Sequence, residues 1–91
     1  MAKHRIDFTK SAAKELKQLP PHIQQRIKTA LLALATDPFS EILKIKKIKG
    51  HESLYRIRLG DYRLVYDVQS AVLLVLVIRV GHRSDVYRGL D

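Results

Sequence analysis

The sequence contains no cysteine. That excludes a disulfide framework, a thiolate metal site and a cysteine nucleophile together, and it suits a reducing, cytoplasmic setting. Long apolar runs are missing as well. The longest, Ala71 to Ile78 (AVLLVLVI), is too short to cross a bilayer. Its β-branched content predicts a strand buried on both faces instead. The leading MAKHRIDF is basic but has no apolar core, so it does not read as a signal peptide. There is no glycine-rich phosphate loop and no serine with partners at a recognisable catalytic spacing. His4, His22, His51 and His82 are scattered without the spacing of metal ligands. No metal, no cofactor and no membrane partner is expected.

What the chain has is positive charge. Its 91 residues carry 17 lysines and arginines against 9 acidic residues, a formal net charge of +8. Such a balance favours an anionic partner, above all nucleic acid or an acidic protein segment. A hydrophobic content of 46% excludes a disordered basic tail. The length predicts a single domain spanning residues 1–91.

Residues 4–8 (HRIDF) predict a short first strand with Ile6 and Phe8 on one face. Thr9 is a candidate N-cap for a helix over 10–19, whose Ala12, Ala13, Leu16 and Leu19 fall at helical spacing. Pro20-Pro21 ends that helix and opens a second, with Ile23, Ile27, Ala30, Leu31 and Leu34 as its buried stripe. Thr36-Asp37-Pro38 stops it. In residues 39–53, Leu43, Ile45 and Ile48 interleave with Lys44, Lys46, Lys47 and Lys49, and Gly50-His51-Glu52-Ser53 forms a turn. Those lysines read in two ways: as contacts to phosphates, or as solubilising charge on an edge strand.

The informative stretch is Leu54 to Val68, LYRIRLGDYRLVYDV. At the strand period of two, Tyr55, Ile57 and Leu59 share a face with Tyr62, Leu64 and Tyr66. Leu54, Arg56, Arg58, Arg63, Val65 and Asp67 take the other. Gly60-Asp61 fits a two-residue hairpin loop, with Gly60 supplying the positive φ of a II′ turn. That loop sets Leu59 opposite Tyr62 and Arg58 opposite Arg63. Like charges directly across a strand pair repel, so a face carrying three arginines is poised to receive an anion. Gln69-Ser70 then turns the chain into a central strand, Val72 to Val80. Past its end come His82, Arg83, Tyr87 and Arg88. The expected fold is α+β: an N-terminal strand and a helical hairpin packed on one face of an antiparallel β-sheet.

These residues resemble the RelE branch of the RelE/ParE toxin superfamily. The matching features are YRIRL at 55–59, GDYRLVY at 60–66, Val80-Gly81 closing the apolar strand and HRSDVY at 82–87, with the helical hairpin before them. The resemblance implies a RelE-like toxin of a type II toxin–antitoxin pair, an endoribonuclease that cleaves messenger RNA in the ribosomal A site. It also implies a cognate antitoxin with an acidic, partly disordered segment, in a hetero-oligomeric complex that binds operator DNA through the antitoxin. Carried over residue by residue, the family's functional positions fall on Arg56, Arg58, Arg63, Arg83 and Tyr87. Lysines commonly stand where this sequence has Arg56 and Arg58. Arginine stays charged, so these two are expected to bind and stabilise rather than to remove a proton.

On this basis the RNA 2′-hydroxyl attacks the adjacent phosphate and leaves a 2′,3′-cyclic phosphate and a 5′-hydroxyl. Arg58, Arg63 and Arg83 clamp that phosphate, and Tyr87 stacks on a base or holds a proton. Lys46, Lys47, Lys49 and His82 are candidate RNA contacts. Among the side-chain types here, imidazole suits acid–base work near neutrality, which makes His82 a candidate proton carrier. The bland alternatives are solvated arginines neutralised by Asp67 and Glu52, an Arg83–Asp85 pair and a core Tyr87. Two other functions fit the same pattern: a ParE-like toxin that inhibits DNA gyrase by binding, and a non-catalytic nucleic-acid-binding relic.

Overall fold

A computed structural model of the chain describes residues 3–84. Strand β1 (Arg5–Phe8) leads into helix α1 (Lys10–Lys17), and helix α2 (Pro21–Thr36) follows. A 3₁₀ turn (Glu41–Leu43) precedes β2 (Ile45–Lys47), β3 (Leu54–Leu59) and β4 (Tyr62–Gln69). A second 3₁₀ turn (Ser70–Val72) leads to β5 (Leu74–His82). The five strands form one sheet in the order β1-β5-β4-β3-β2. Its β2 to β5 part is antiparallel, as expected, and β1 adds to β5 in parallel, which makes the whole sheet mixed.

Local chemistry explains the helices. Thr9 caps α1, its hydroxyl accepting from the Ala12 N–H at 3.1 Å. The helix ends at Lys17, two residues before the expected Leu19, and Pro21 begins α2 at a position where a missing N–H costs nothing. Asp37 stops α2 and accepts from the Phe39 N–H at 3.0 Å. Ile23, Ile27, Ala30, Leu31 and Leu34 pack on Ile57, Leu64, Tyr66, Val68, Val75, Val77 and Val80. The helices therefore cover the face of the sheet assigned to Ile57 and Leu64; on the arginine face Val65 is fully buried and Arg63 nearly so, while Arg58 is exposed.

The last strand differs from expectation at its start. Val72 and Leu73 are 60% and 41% exposed because Ser70–Val72 turn in a 3₁₀ segment and Leu73 takes a left-handed φ of 51°. Reversing direction between two antiparallel strands uses up the first apolar residues of the run. The middle of the sheet is β4, with β5 lying between β4 and β1. No described helix is long and apolar enough to cross a membrane.

Candidate active site

The hairpin forms in the expected register. Leu59 pairs with Tyr62, Arg58 with Arg63 and Arg56 with Val65, and Gly60 takes a φ of 63°. Residues directly opposite in a ladder share a face. Two cross-strand rows follow from the pairing. One runs Lys46, Arg56, Val65, Arg79 across β2, β3, β4 and β5. The other, one pleat along, runs Arg58, Arg63, Gly81.

The Arg58–Arg63 repulsion is relieved by asymmetry. Arg58 is exposed, whereas Arg63 is only 8% exposed and turns back onto its own hairpin. Its Nη1 donates to the Gly60 carbonyl at 2.8 Å and to the Tyr62 carbonyl at 3.0 Å. Those charge-assisted bonds hold the guanidinium in place without a carboxylate. The Arg83 N–H donates to the Asp61 carbonyl at 2.8 Å, so the same two-residue loop anchors Arg63 and Arg83. Beside Arg63 the surface is open: a Cβ on Gly81 would meet nothing within 4 Å.

Among the described residues, no carboxylate bonds Arg56, Arg58 or Arg63. Asp67 accepts from Ser53 and, at 2.9 Å, from Gln69. The ion pair recorded among the described residues joins Arg79 to Glu15 at 3.1 Å. Guanidinium groups keep their charge at any ordinary pH and suit planar, bidentate recognition of a phosphate.

A bulge in β5 decides which side chains join the site. Tyr66 pairs with Val77 and Val65 with Arg79, so β5 spends one extra residue opposite this point of β4. Val75 and Val77 face the helices. The inserted residue lets Val80, 1% exposed, return to that core face and sends Arg79 and Gly81 to the arginine face. Arg79 thus belongs to the row of Arg56. The signal in the sequence is the slip of parity in LVLVIRV, where apolar core positions fall at Val75, Val77 and then Val80.

Chain comparisons bear on the same residues. A family model described as the ParE toxin of type II toxin-antitoxin system, parDE, matches residues 6–87. This chain belongs to the RelE/ParE toxin family. It is 38% identical to Toxin RelE3 of Methanocaldococcus jannaschii, over 91% of this chain and 94% of that one. The mRNA interferase toxin RelE of Escherichia coli K12 is 35% identical, over 90% of this chain and 87% of that one. Among solved structures, the RelE–RelB complex of Pyrococcus horikoshii OT3 matches with a TM-score of 0.79 at 28% identity, covering 94% of this chain and all (100%) of that one. The intact E. coli RelBE toxin-antitoxin complex matches with a TM-score of 0.77 at 32% identity, covering 87% of this chain and 95% of that one.

Of the positions carried over from the family, Arg56, Arg58 and Arg63 share one face, and Arg83 is tied to the hairpin loop beside them. Tyr87 and Arg88 lie outside the described residues. The candidate RNA contacts divide. Lys46 pairs with Arg56 and shares its face, whereas Lys47 pairs with Tyr55 on the helix side. Lys49 is exposed in the turn before Gly50, whose φ is 87°. His82 pairs with Tyr62, their rings edge to face at 5.8 Å, and its Nδ1 lies 2.9 Å from the Ser84 hydroxyl. That pairing puts His82 on the face opposite the arginines. An apolar groove of about 650 Å³ between α2 and the segment around Ile42 and Leu43 is on the helix side as well.

Proposed function

We propose that this chain is the toxin of a type II toxin–antitoxin pair, an endoribonuclease that cleaves messenger RNA and thereby stops translation. The observation that carries this reading is the shared face of Arg56, Arg58 and Arg63, none of them bonded to a carboxylate among the described residues, with Arg83 anchored beside it, in a chain whose relatives include mRNA interferases. In the proposed reaction the RNA 2′-hydroxyl attacks its neighbouring phosphate, a 2′,3′-cyclic phosphate forms and the 5′-oxygen leaves. Arg58, Arg63 and Arg83 take up the charge that accumulates on the phosphate oxygens, a role in which one lost donor costs on the order of a hundred- to a thousand-fold in rate. Arg56 and Lys46 hold the strand, and Tyr87 stacks on a base or carries a proton. The site of action is the cytoplasm, on messenger RNA in the ribosome. The cognate partner is an antitoxin whose acidic, partly disordered segment neutralises the +8 charge.

A second reading is favoured by the family model itself, which is described for a ParE toxin. A ParE-like chain would act by binding DNA gyrase and would have no use for a phosphate clamp. Induced expression, with mapping of messenger RNA ends and a measurement of plasmid supercoiling, separates the two. Growth arrest with new 5′-hydroxyl ends is the expected result. Arrest with intact transcripts and lost supercoiling would replace the nuclease with the gyrase inhibitor.

A further inference from the structure

We infer that the cognate antitoxin docks an acidic amphipathic segment in the groove between α2 and the turn at Ile42 and Leu43, its acidic end on Arg26, Lys44 and Arg58. The inference rests on the reading of this chain as a toxin with an antitoxin partner, and it names the surface which that partner takes.

Two cavities run together here, because Arg26, Ile42, Leu43 and Leu59 line both. The larger, about 650 Å³, is a trough along α2 with Ala30 and Ala33 on one wall and Ile42, Leu43 and Leu59 on the other. Ile42 is 89% exposed, a large apolar side chain held out beside an apolar trough, and covering it would remove that area from water. The turn that carries it is set by local geometry. Lys44 takes a left-handed φ of 52° directly after the 3₁₀ segment, a conformation uncommon outside glycine, and the chain then enters β2.

The smaller cavity, about 400 Å³, adds Lys44, Arg58 and Gly60 to the lining. Arg26 reaches it from α2, and its Nη1 would lie 3.5 Å from a Cβ on Gly60. Cations from α2, from the turn before β2 and from β3 therefore meet at one end of the trough. All three are exposed, and among the described residues no carboxylate bonds any of them.

The chemistry of this surface selects its occupant. Aliphatic walls call for apolar side chains, and the cationic end calls for carboxylates. No described aromatic ring lines either cavity, so an RNA base would have none to stack on. A second copy of this chain would bring the same formal charge of +8 and be repelled. From His22 to Ala33 the trough follows α2 for about 16 Å at the helical rise, room for a segment with apolar anchors at i, i+3 or i+4, and i+7. Arg58 belongs both to this surface and to the arginine face. A carboxylate seated here competes with the RNA phosphate for it.

The test uses the full chain in complex with its full-length antitoxin, which carries a fluorophore. Release of the antitoxin is timed after a chase with unlabelled wild-type toxin. Ile42→Asp and Arg26→Glu should each release it about thirty-fold faster, the loss expected of a central anchor. Free Ile42→Asp should still cleave messenger RNA at the wild-type rate, which shows a folded chain. Lys28→Glu makes the same charge change on the same helix but lines the separate groove beside β1, as does Leu32→Asp. Both controls should release the antitoxin at the wild-type rate. Wild-type release from Ile42→Asp and Arg26→Glu overturns the inference. Equally fast release from Arg26→Glu and Lys28→Glu overturns it too, since general charge would then account for the loss. If Arg26→Glu weakens binding of single-stranded RNA and leaves antitoxin release unchanged, the surface belongs to RNA instead. A wild-type chain that forms no complex with the antitoxin overturns the toxin–antitoxin reading itself.

Discussion

Arg63 donates its Nη1 to the carbonyl oxygen of Gly60 at 2.8 Å, so the arginine directly across from Arg58 is also the clasp of the hairpin that carries both. The two therefore differ in what their loss does. Arg63→Ala should lower folding stability by about 1 kcal/mol and slow cleavage by on the order of a hundred-fold. Arg58→Ala, at an exposed position, should slow cleavage on the same scale and leave the urea midpoint where it is. Equal losses of stability in the two variants would contradict the clasp. Full toxicity in a folded double variant would show that the arginine face is not the site.

Gly60 and Gly81 occupy the same corner of the sheet for different reasons. At a φ of 63° the penalty for a side chain is in the backbone, because a Cβ on Gly60 would meet only Arg26 Nη1, at 3.5 Å. Gly60→Ala should cost about 1–2 kcal/mol. Gly81 has open space around it, and Gly81→Ala should leave stability unchanged or raise it slightly. Urea denaturation of the two variants side by side checks both signs.

The parts of this fold that could be read in advance depend on contacts near in sequence. The hairpin register follows from a two-residue loop and strict alternation on either side, and Thr9, Pro20-Pro21 and Asp37-Pro38 mark the helix ends by their own chemistry. What could not be read depends on distant partners. The face of Arg79 is set by a bulge that Glu15 holds from 64 residues away. The separation of Lys46 from Lys47, and of His82 from the arginines, follows from pairing with β3 and β4, which the residues themselves do not reveal. The parallel pairing of β1 with β5 is equally non-local, since it joins the two ends of the chain.

That separation of the lysines makes a test at neighbouring positions. Lys46 extends the row of Arg56, while Lys47 points with Tyr55 toward the helix side. Lys46→Ala should weaken binding of single-stranded RNA several-fold and reduce its salt dependence by one contact. Lys47→Ala should do neither, although it removes the same charge and leaves the net charge identical. If both variants bind alike, long-range charge dominates and the row has no specific role.

Tyr66 is the largest side chain fully buried under the helices, and its hydroxyl donates to the Pro38 carbonyl at 2.9 Å. Burial, with smaller contributions from Tyr55 and Asp37, pushes its phenol well above the usual tyrosine range. Tyr66→Phe leaves that buried carbonyl without its donor and should cost about 1–2 kcal/mol, with cleavage unaffected because the arginines lie on the opposite face. The pH dependence has a defined sign. Below about pH 10 the phenol is protonated in both folded and unfolded chains, and its contribution is complete. As pH rises past that point the unfolded chain releases the proton first, so stability falls. Tyr66→Phe should lose this part of the alkaline decline. Urea titrations between pH 8 and pH 11 measure it, and parallel curves for the two proteins across that range would mean that Tyr66 ionises as freely in the fold as outside it.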